Sequence, residues 1–369
     1  MRLFKNDGKG NFTLSSASFP NTGMNVSVAI ADDFNGDGYE DLFIGGRSFP
    51  EIYGLDPPSF LFMNDGKGNF KDVTKEKIPA ATNIGMVCGA VWADVTGDAQ
   101  KELIIAGEWM CPHIFSYKAG RFEEIKSNLN QYFGWWQTVV AADVNRDGKT
   151  DLIFGNMGQN FYLQPALNKP LKLWVNDFDG NGSIEKIITS TINGKDMPVL
   201  LKREMEEQLP LIKKGNLKNE EYSGKSIQDL FSKEELAKCT IKQVNYPASC
   251  IAINNGDGSF NIQELPAMCQ LSCINAIQSV DLNDDGAIDL VMGGNQFGFL
   301  PQFERLDASF GDVLINDGKG GFAWQEASIT GLQLRGEVRD IAIIDDQKKR
   351  YFLFLQNDDR PLLYEKNKK

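Results

Sequence analysis

The chain has 369 residues, 42% of them hydrophobic, which is room for two ordinary domains or one large β-rich one. Its formal net charge of −12 excludes a nucleic-acid partner, because binding phosphate needs a basic face. No run approaches the roughly 18 apolar residues of a transmembrane helix, and the start, Met1 to Gly8, has no apolar signal-peptide core.

The first predicted element is a hairpin, Leu3 to Phe12, turning on Asn6-Asp-Gly. Asn-Gly and Asp-Gly between apolar runs are strong hairpin signals. Relatives turn at Asn64, Asn254 and Asn316, with a weaker copy at Tyr117 to Phe122.

The second kind of element starts at Asp33. Oxygen-bearing side chains recur at every second position, Asp33, Asn35 and Asp37, followed by Asp41 and the strand Leu42 to Ile44. Tyr39 is placed to offer its main-chain carbonyl, so the loop presents the hard oxygen ligands that Ca²⁺ prefers. An EF-hand is excluded, because Ile44 stands where that loop needs a bidentate Glu.

The loop recurs at Asp143, Asn145, Asp147, Lys149 and Asp151, and at Asp177, Asp179, Asn181, Ser183 and Glu185. It recurs again at Asp281, Asn283, Asp285, Ala287 and Asp289. A further copy, Asp94, Thr96, Asp98, Gln100 and Glu102, has Ala99 where the others have glycine and should bind more weakly. At Ile344-Asp345-Asp346-Gln347 the strand survives and the ligands are lost. Four Ca²⁺ sites and a weak fifth are expected. Each of the five loops carries three carboxylates, so five bound Ca²⁺ would bring the formal charge to about −2. The acidity is thus largely that of metal sites.

Loop and hairpin alternate, which gives a four-stranded meander. Copies of such a meander bury both faces by stacking radially, as in a β-propeller. Metal loops start 61 residues apart from Asp33 to Asp94, 49 from Asp94 to Asp143 and 64 from Asp281 to Asp345. The 138 residues between Asp143 and Asp281 fit two blades plus an insertion. The expectation is one all-β propeller domain over residues 1–369, with six blades by count and seven also compatible. A helical insertion spans 202–240, where Ser232 and Glu235 form a capping box and Ser226 opens another turn. The N-terminal hairpin would complete the last blade and close the ring.

These Asp-x-Asn-x-Asp-Gly-x-x-Asp loops and Asn-Asp-Gly-x-Gly-x-Phe hairpins resemble FG-GAP/VCBS repeats, as in the propeller of integrin α chains. Gly46-Arg47 with Tyr53, Glu108-Trp109, Trp135-Trp136, Asn156, Asn160 and Asp307 resemble more specifically the propeller of bacterial ASPIC/UnbV-associated VCBS proteins. The resemblance implies Ca²⁺ at the loops above and an extracytoplasmic setting: secreted, periplasmic or cell surface. Members of that family are longer and exported, so the chain reads as the C-terminal part of a longer protein.

Metal loops and hairpins emerge on one face of such a propeller. The other face carries Arg47, Tyr53, Glu108, Trp109, Asn156, Asn160, Asn295 and Gln296, whose amides and aromatic rings suit a glycan or a protein ligand. The competing reading is that the tryptophans only pack between blades. No catalytic residue is assigned. There is no Gly-x-Ser-x-Gly elbow or P-loop, and Cys111 and His113, two residues apart, do not make a nucleophile pair on spacing alone. Three functions stay open: a recognition module, a polysaccharide lyase or hydrolase, and a structural spacer. The six cysteines read mainly as small buried residues, with disulfides left open. The sequence does not fix the oligomeric state.

Overall fold

The computed structural model describes residues 1–15, 19–20, 23–298, 305–346 and 349–366. Part of the loop from Gly293 to Phe310, and Gln347 of the degenerate sixth loop, lie outside them.

Six sheets of three or more strands carry the fold, all antiparallel. The first blade runs in chain order through Asn25–Asp32, Asp41–Ser48, Phe60–Asn64 and Phe70–Asp72. The second uses Met86–Ala93, Glu102–Met110, His113–Lys118 and Arg121–Ile125, with Gly134–Trp135 added beside Glu102–Met110. The third pairs Thr138–Ala142, Asp151–Gly155, Cys250–Asn254 and Phe260–Glu264. The fourth is Ile274–Val280, Asp289–Gly294, Asp312–Asn316 and Phe322–Gln325, and the fifth Val338–Asp346, Lys349–Gln356 and Leu362–Glu365. The first strand of each of these blades packs on the first strand of the next, the radial stacking of a propeller.

Alternation decides which side chains fill the gaps between blades. Val28 and Ile30 of the first blade meet Phe43, Leu61, Val87, Leu103, Ile105 and Phe115 in one cluster. Each position contributes because a strand turns alternate side chains to opposite faces. In the second strands of the second, third and fourth blades main chain meets main chain more closely still. A Cβ on Gly107 would stand 2.0 Å from the Met86 carbonyl oxygen, one on Gly155 2.3 Å from that of Ile274, and one on Gly294 1.6 Å from that of Cys273. No side chain fits there, which is why these blades carry glycine in the second strand.

The count of six holds as a count of sheets, but one is nested. Leu171–Asn176, Glu185–Ile192, Lys195–Pro198 and Thr240–Val244 form a sheet inserted in the chain between the second and third strands of the third blade, which pair directly with each other. It contains the fourth acidic loop, so the two successive blades expected between Asp143 and Asp281 are one blade inside another. Five short helices between Lys202 and Leu236 cover this sheet and share a core of Trp174, Phe178, Met205, Leu209 and Phe231. Ser232 caps as expected: its Oγ accepts from the Glu235 N–H at 3.2 Å, and Glu235 Oε2 accepts from the Ser232 N–H at 2.7 Å.

The ring-closing exchange is not formed. Among the described residues the N-terminal hairpin, Phe4–Asn6 with Phe12–Leu14, pairs only with itself. Leu362–Glu365 already fills the third position of the fifth blade, and Lys5 lies instead against Gly68 in the corresponding turn of the first. All six cysteines are free thiols.

Candidate metal loops and the opposite face

Each acidic loop is wound tightly by its own carboxylates. In the first, Asp33 Oδ1 accepts from the N–H groups of Gly36 and Asp37 at 2.9 and 3.0 Å, and Oδ2 from Gly38 at 2.7 Å. Asn35 accepts from Asp37, and Asp37 from Tyr39. The same bonds recur from Gly148 and Lys149 to Asp143 and Asp147, from Gly182 and Ser183 to Asp177 and Asn181, and from Gly286 and Ala287 to Asp281 and Asp285. The main chain is left-handed at Gly38 (φ +88°), the conformation in which only glycine is unstrained. In the Asp94 loop Ala99 takes that conformation (φ +69°) and keeps the bonds, to Asp94 at 2.9 Å and from Gln100 to Asp98 at 3.0 Å. The geometry is retained, with the strain of a left-handed alanine.

The last carboxylate of each loop is the buried one. Asp41, Glu102, Asp151, Glu185 and Asp289 sit at the base of the loop, where the second strand begins. Asp41 Oδ1 accepts from the Asn64 N–H at 2.7 Å, and the Asn64 side chain donates to the Glu40 carbonyl. Asn254 and Asn316 make the equivalent bonds to Asp151 and Asp289, both at 2.8 Å. Acidic loop and hairpin therefore share one face, as read from the sequence. Asp41 Oδ2 is buried with no hydrogen-bond partner. Burial, with the charges of Asp37 and Asp33 adding to it, pushes the Asp41 carboxyl up to about 6. Burial raises Glu102, Asp151, Glu185 and Asp289 likewise.

In the nested sheet, oxygens of Asp177, Asp179 and Glu185 lie within 4.8 Å of one another. Crowded carboxylates and a buried orphan oxygen are what a hard divalent cation would relieve, and the all-oxygen donor set fits Ca²⁺. At the degenerate sixth loop Asp345 is instead forked by Arg350 at 2.8 and 3.3 Å.

On the opposite face the structure gathers four of the eight candidates. Arg47 Nη2 donates to Glu108 Oε1 at 2.7 Å and the Tyr53 hydroxyl to Oε2 at 2.7 Å. Trp109 Nε1 donates to Tyr53 at 2.8 Å. Gln137, which the sequence did not single out, adds a bond to Glu108 at 3.1 Å. Burial pushes Glu108 up, but the Arg47 charge and the Tyr53 and Gln137 hydrogen bonds outweigh it and hold the carboxyl below its ordinary value. The network ties blades one, two and three together. Trp109 is buried, packs edge-on against Trp135 with centroids 5.4 Å apart, and holds a φ of +60°.

The remaining candidates do not join it. Asn156 is fully buried and its amide is spent on the main chain, accepting from Trp135 and Met157 and donating to Tyr246 and Ala248. Asn295, also buried, is held by Ser272, Ser309 and Gly336. Asn160 donates to the Leu271 carbonyl, and Gln296 bridges to Leu306 and Arg339. Asn156 and Asn295 therefore brace loops with their amides. The open space lies beside Trp109. A cavity of about 460 Å³ separates the second blade from the nested sheet, lined among others by Trp109, Cys111, His113, Phe133, Lys172 and Lys242. No local pattern announced it, because Lys172 and Lys242 of one wall stand 59 and 129 residues beyond His113 of the other.

Residues 33–105 and 94–154 match the FG-GAP-like repeat family, so the chain carries these repeats from its first acidic loop to the second strand of the third blade. Cartilage acidic protein 1 of Xenopus tropicalis is 24% identical over a match covering 36% of this chain and 25% of that protein. The chain thus aligns with about a quarter of that relative's length. Among solved structures, the V. cholerae biofilm matrix protein Bap1 superposes over 97% of this chain and 71% of its own, with a TM-score of 0.31 and 10% identity. No helix among the described residues is long and apolar enough to cross a membrane.

Proposed function

We propose that this chain is a Ca²⁺-binding β-propeller module of an extracytoplasmic protein, which recognises a glycan or protein ligand through the face opposite its metal loops. One observation carries the metal part: a recurring loop ends in a buried carboxylate, and Asp41 leaves an oxygen there without a partner. Asp33, Asn35, Asp37, the Tyr39 carbonyl and Asp41 would hold one ion, with equivalent residues in the Asp143, Asp177 and Asp281 loops and weaker binding at Asp94. The bound ions would neutralise the crowded acids and lock the first two strands of each blade in register. An extracytoplasmic setting is supported by the repeats, and by a relative named for cartilage.

The Arg47–Glu108–Tyr53–Trp109 network would shape the recognition face, and the adjoining cavity would supply the concavity. Calcium titration by calorimetry, with elemental analysis of the purified chain, tests the metal. Four strong heats and a weak fifth are expected; a silent titration of metal-free protein overturns the assignment. A polysaccharide array read for both retention and new chain ends tests recognition. Retention without cleavage supports a binding module, and cleavage would make it a glycan-active enzyme.

A further inference from the structure

The cavity beside Trp109 holds a group of residues that spacing alone does not suggest. Cys111 and His113 flank Pro112 where the second and third strands of the second blade meet, and Glu124 lies on the fourth strand. Cys111 Sγ is 3.7 Å from His113 Nε2, and His113 Nδ1 is 2.7 Å from Glu124 Oε1. Burial pushes Glu124 up, but His113 and Lys126 outweigh it and hold the carboxyl below its ordinary value. An ionised carboxylate can only accept, so Nδ1–H turns to Glu124 and Nε2 faces the thiol. Burial raises the Cys111 thiol, so it keeps its proton until a base removes it. Both Cys111 and His113 line the cavity, together with the apolar walls of Ile84, Trp109 and Phe133.

We propose that Cys111, His113 and Glu124 form a nucleophilic triad that takes an acyl group from a carboxylic ester bound in this cavity and passes it to water. His113 Nε2 removes the thiol proton as Sγ bonds to the ester carbonyl carbon. The carbon–oxygen bond to the alcohol breaks, and His113 hands that proton to the departing oxygen. Water then attacks the thioester, giving its proton to His113. The acid leaves and the thiol recovers its proton. No oxidant or metal is needed. Glu124 is a positioning residue, acting through the imidazole. The apolar walls favour an apolar acyl group. This inference is independent of the calcium reading.

The test uses the full chain and two probes. Iodoacetamide labelling, followed by peptide mass spectrometry, ranks the six thiols. Cys88 and Cys239 are the more exposed, and Cys111 is only 7% exposed. Reactivity set by access would favour the first two, whereas the triad makes Cys111 fastest at pH 7. His113→Asn should slow Cys111 at least about 100-fold, the lower range for a general base. In Glu124→Gln the pH midpoint of Cys111 labelling should rise, because the imidazolium loses its counter-charge. The charged groups bearing on it are Glu124 and Lys126 from its own blade, and Lys172 and Lys242 across the cavity. With 4-nitrophenyl butyrate, an acyl adduct should map to Cys111 and nitrophenolate release should fall in Cys111→Ser. Labelling of Cys111 no faster than Cys88 and Cys239, an unmoved midpoint in Glu124→Gln, or undiminished release from Cys111→Ser would each overturn the proposal.

Discussion

Replacing Asp41 by Asn should have opposite effects with and without calcium. The carboxyl is buried, which pushes it up to about 6 from an ordinary value of 3.8. Ionising it at pH 7 therefore costs the metal-free fold about 3 kcal/mol at about 1.4 kcal/mol per unit. Water reaches the loop above it, so about 1–2 kcal/mol is the better figure. The sign follows from a raised acid: the cost is absent below about pH 4, grows as pH rises towards 6 and is complete above it. Asn keeps the bond from the Asn64 N–H and carries no charge. In EDTA, Asp41→Asn should therefore raise the melting temperature, by about 2 °C for a chain of this size. With Ca²⁺ at about 100 times its dissociation constant the native loop gains about 2.7 kcal/mol, and the variant forfeits much of it. Paired thermal melts at pH 7, in EDTA and in Ca²⁺, read both signs. A variant less stable than the native chain in EDTA would refute the argument that Asp41 is strained without metal.

EDTA alone should lower the melting temperature of the native chain, with Ca²⁺ restoring it; a melt indifferent to both would count against every loop. In Ca²⁺, Asp143→Ala should destabilise more than Asp94→Ala, and Ala99→Gly should tighten the weak loop by about 1 kcal/mol by relieving its left-handed alanine. Calorimetry on the three variants would show the order. Glu108→Gln leaves the half-buried Arg47 without its counter-ion and should cost about 2 kcal/mol, less than a fully buried pair because Arg47 is partly solvated. Because Glu108 is held below its ordinary value, its contribution is present above about pH 4.5 and lost as pH falls below it. The native chain should thus lose its margin over Glu108→Gln in melts between pH 5 and pH 3.

The acidic loops and hairpins were legible because each is a local contract among a few residues. Oxygens two apart and a glycine at the left-handed position fix the turn whatever surrounds it. The nesting of one sheet in another was not legible, since a radial blade and an inserted one obey the same alternation of apolar and polar positions. Only long-range pairing, Leu152 with Ala252 across a hundred residues, separates them. Asn156 and Asn295 misled for a related reason. An amide in a loop serves a ligand or the loop's own carbonyls, and the sequence does not say which until burial is known. Glu124 was invisible as a partner of His113 because their meeting depends on how the strand His113–Lys118 is registered against Arg121–Ile125. Trp109 and Trp135 pack on each other, and Trp109 also lines the cavity.

The glycines of these second strands carry one more implication. Where Gly107, Gly155 and Gly294 meet a carbonyl, backbone rests on backbone with no side chain between. In the second and fourth blades this contact sets how closely the first strand lies to the second, and at Gly155 against Ile274 it sets the approach of the third blade to the fourth by backbone contact and not by residue volume. Substitutions in the cores between blades can loosen the fill without altering that approach. The surface above that seam can therefore change its side chains without changing the spacing of the two blades beneath it.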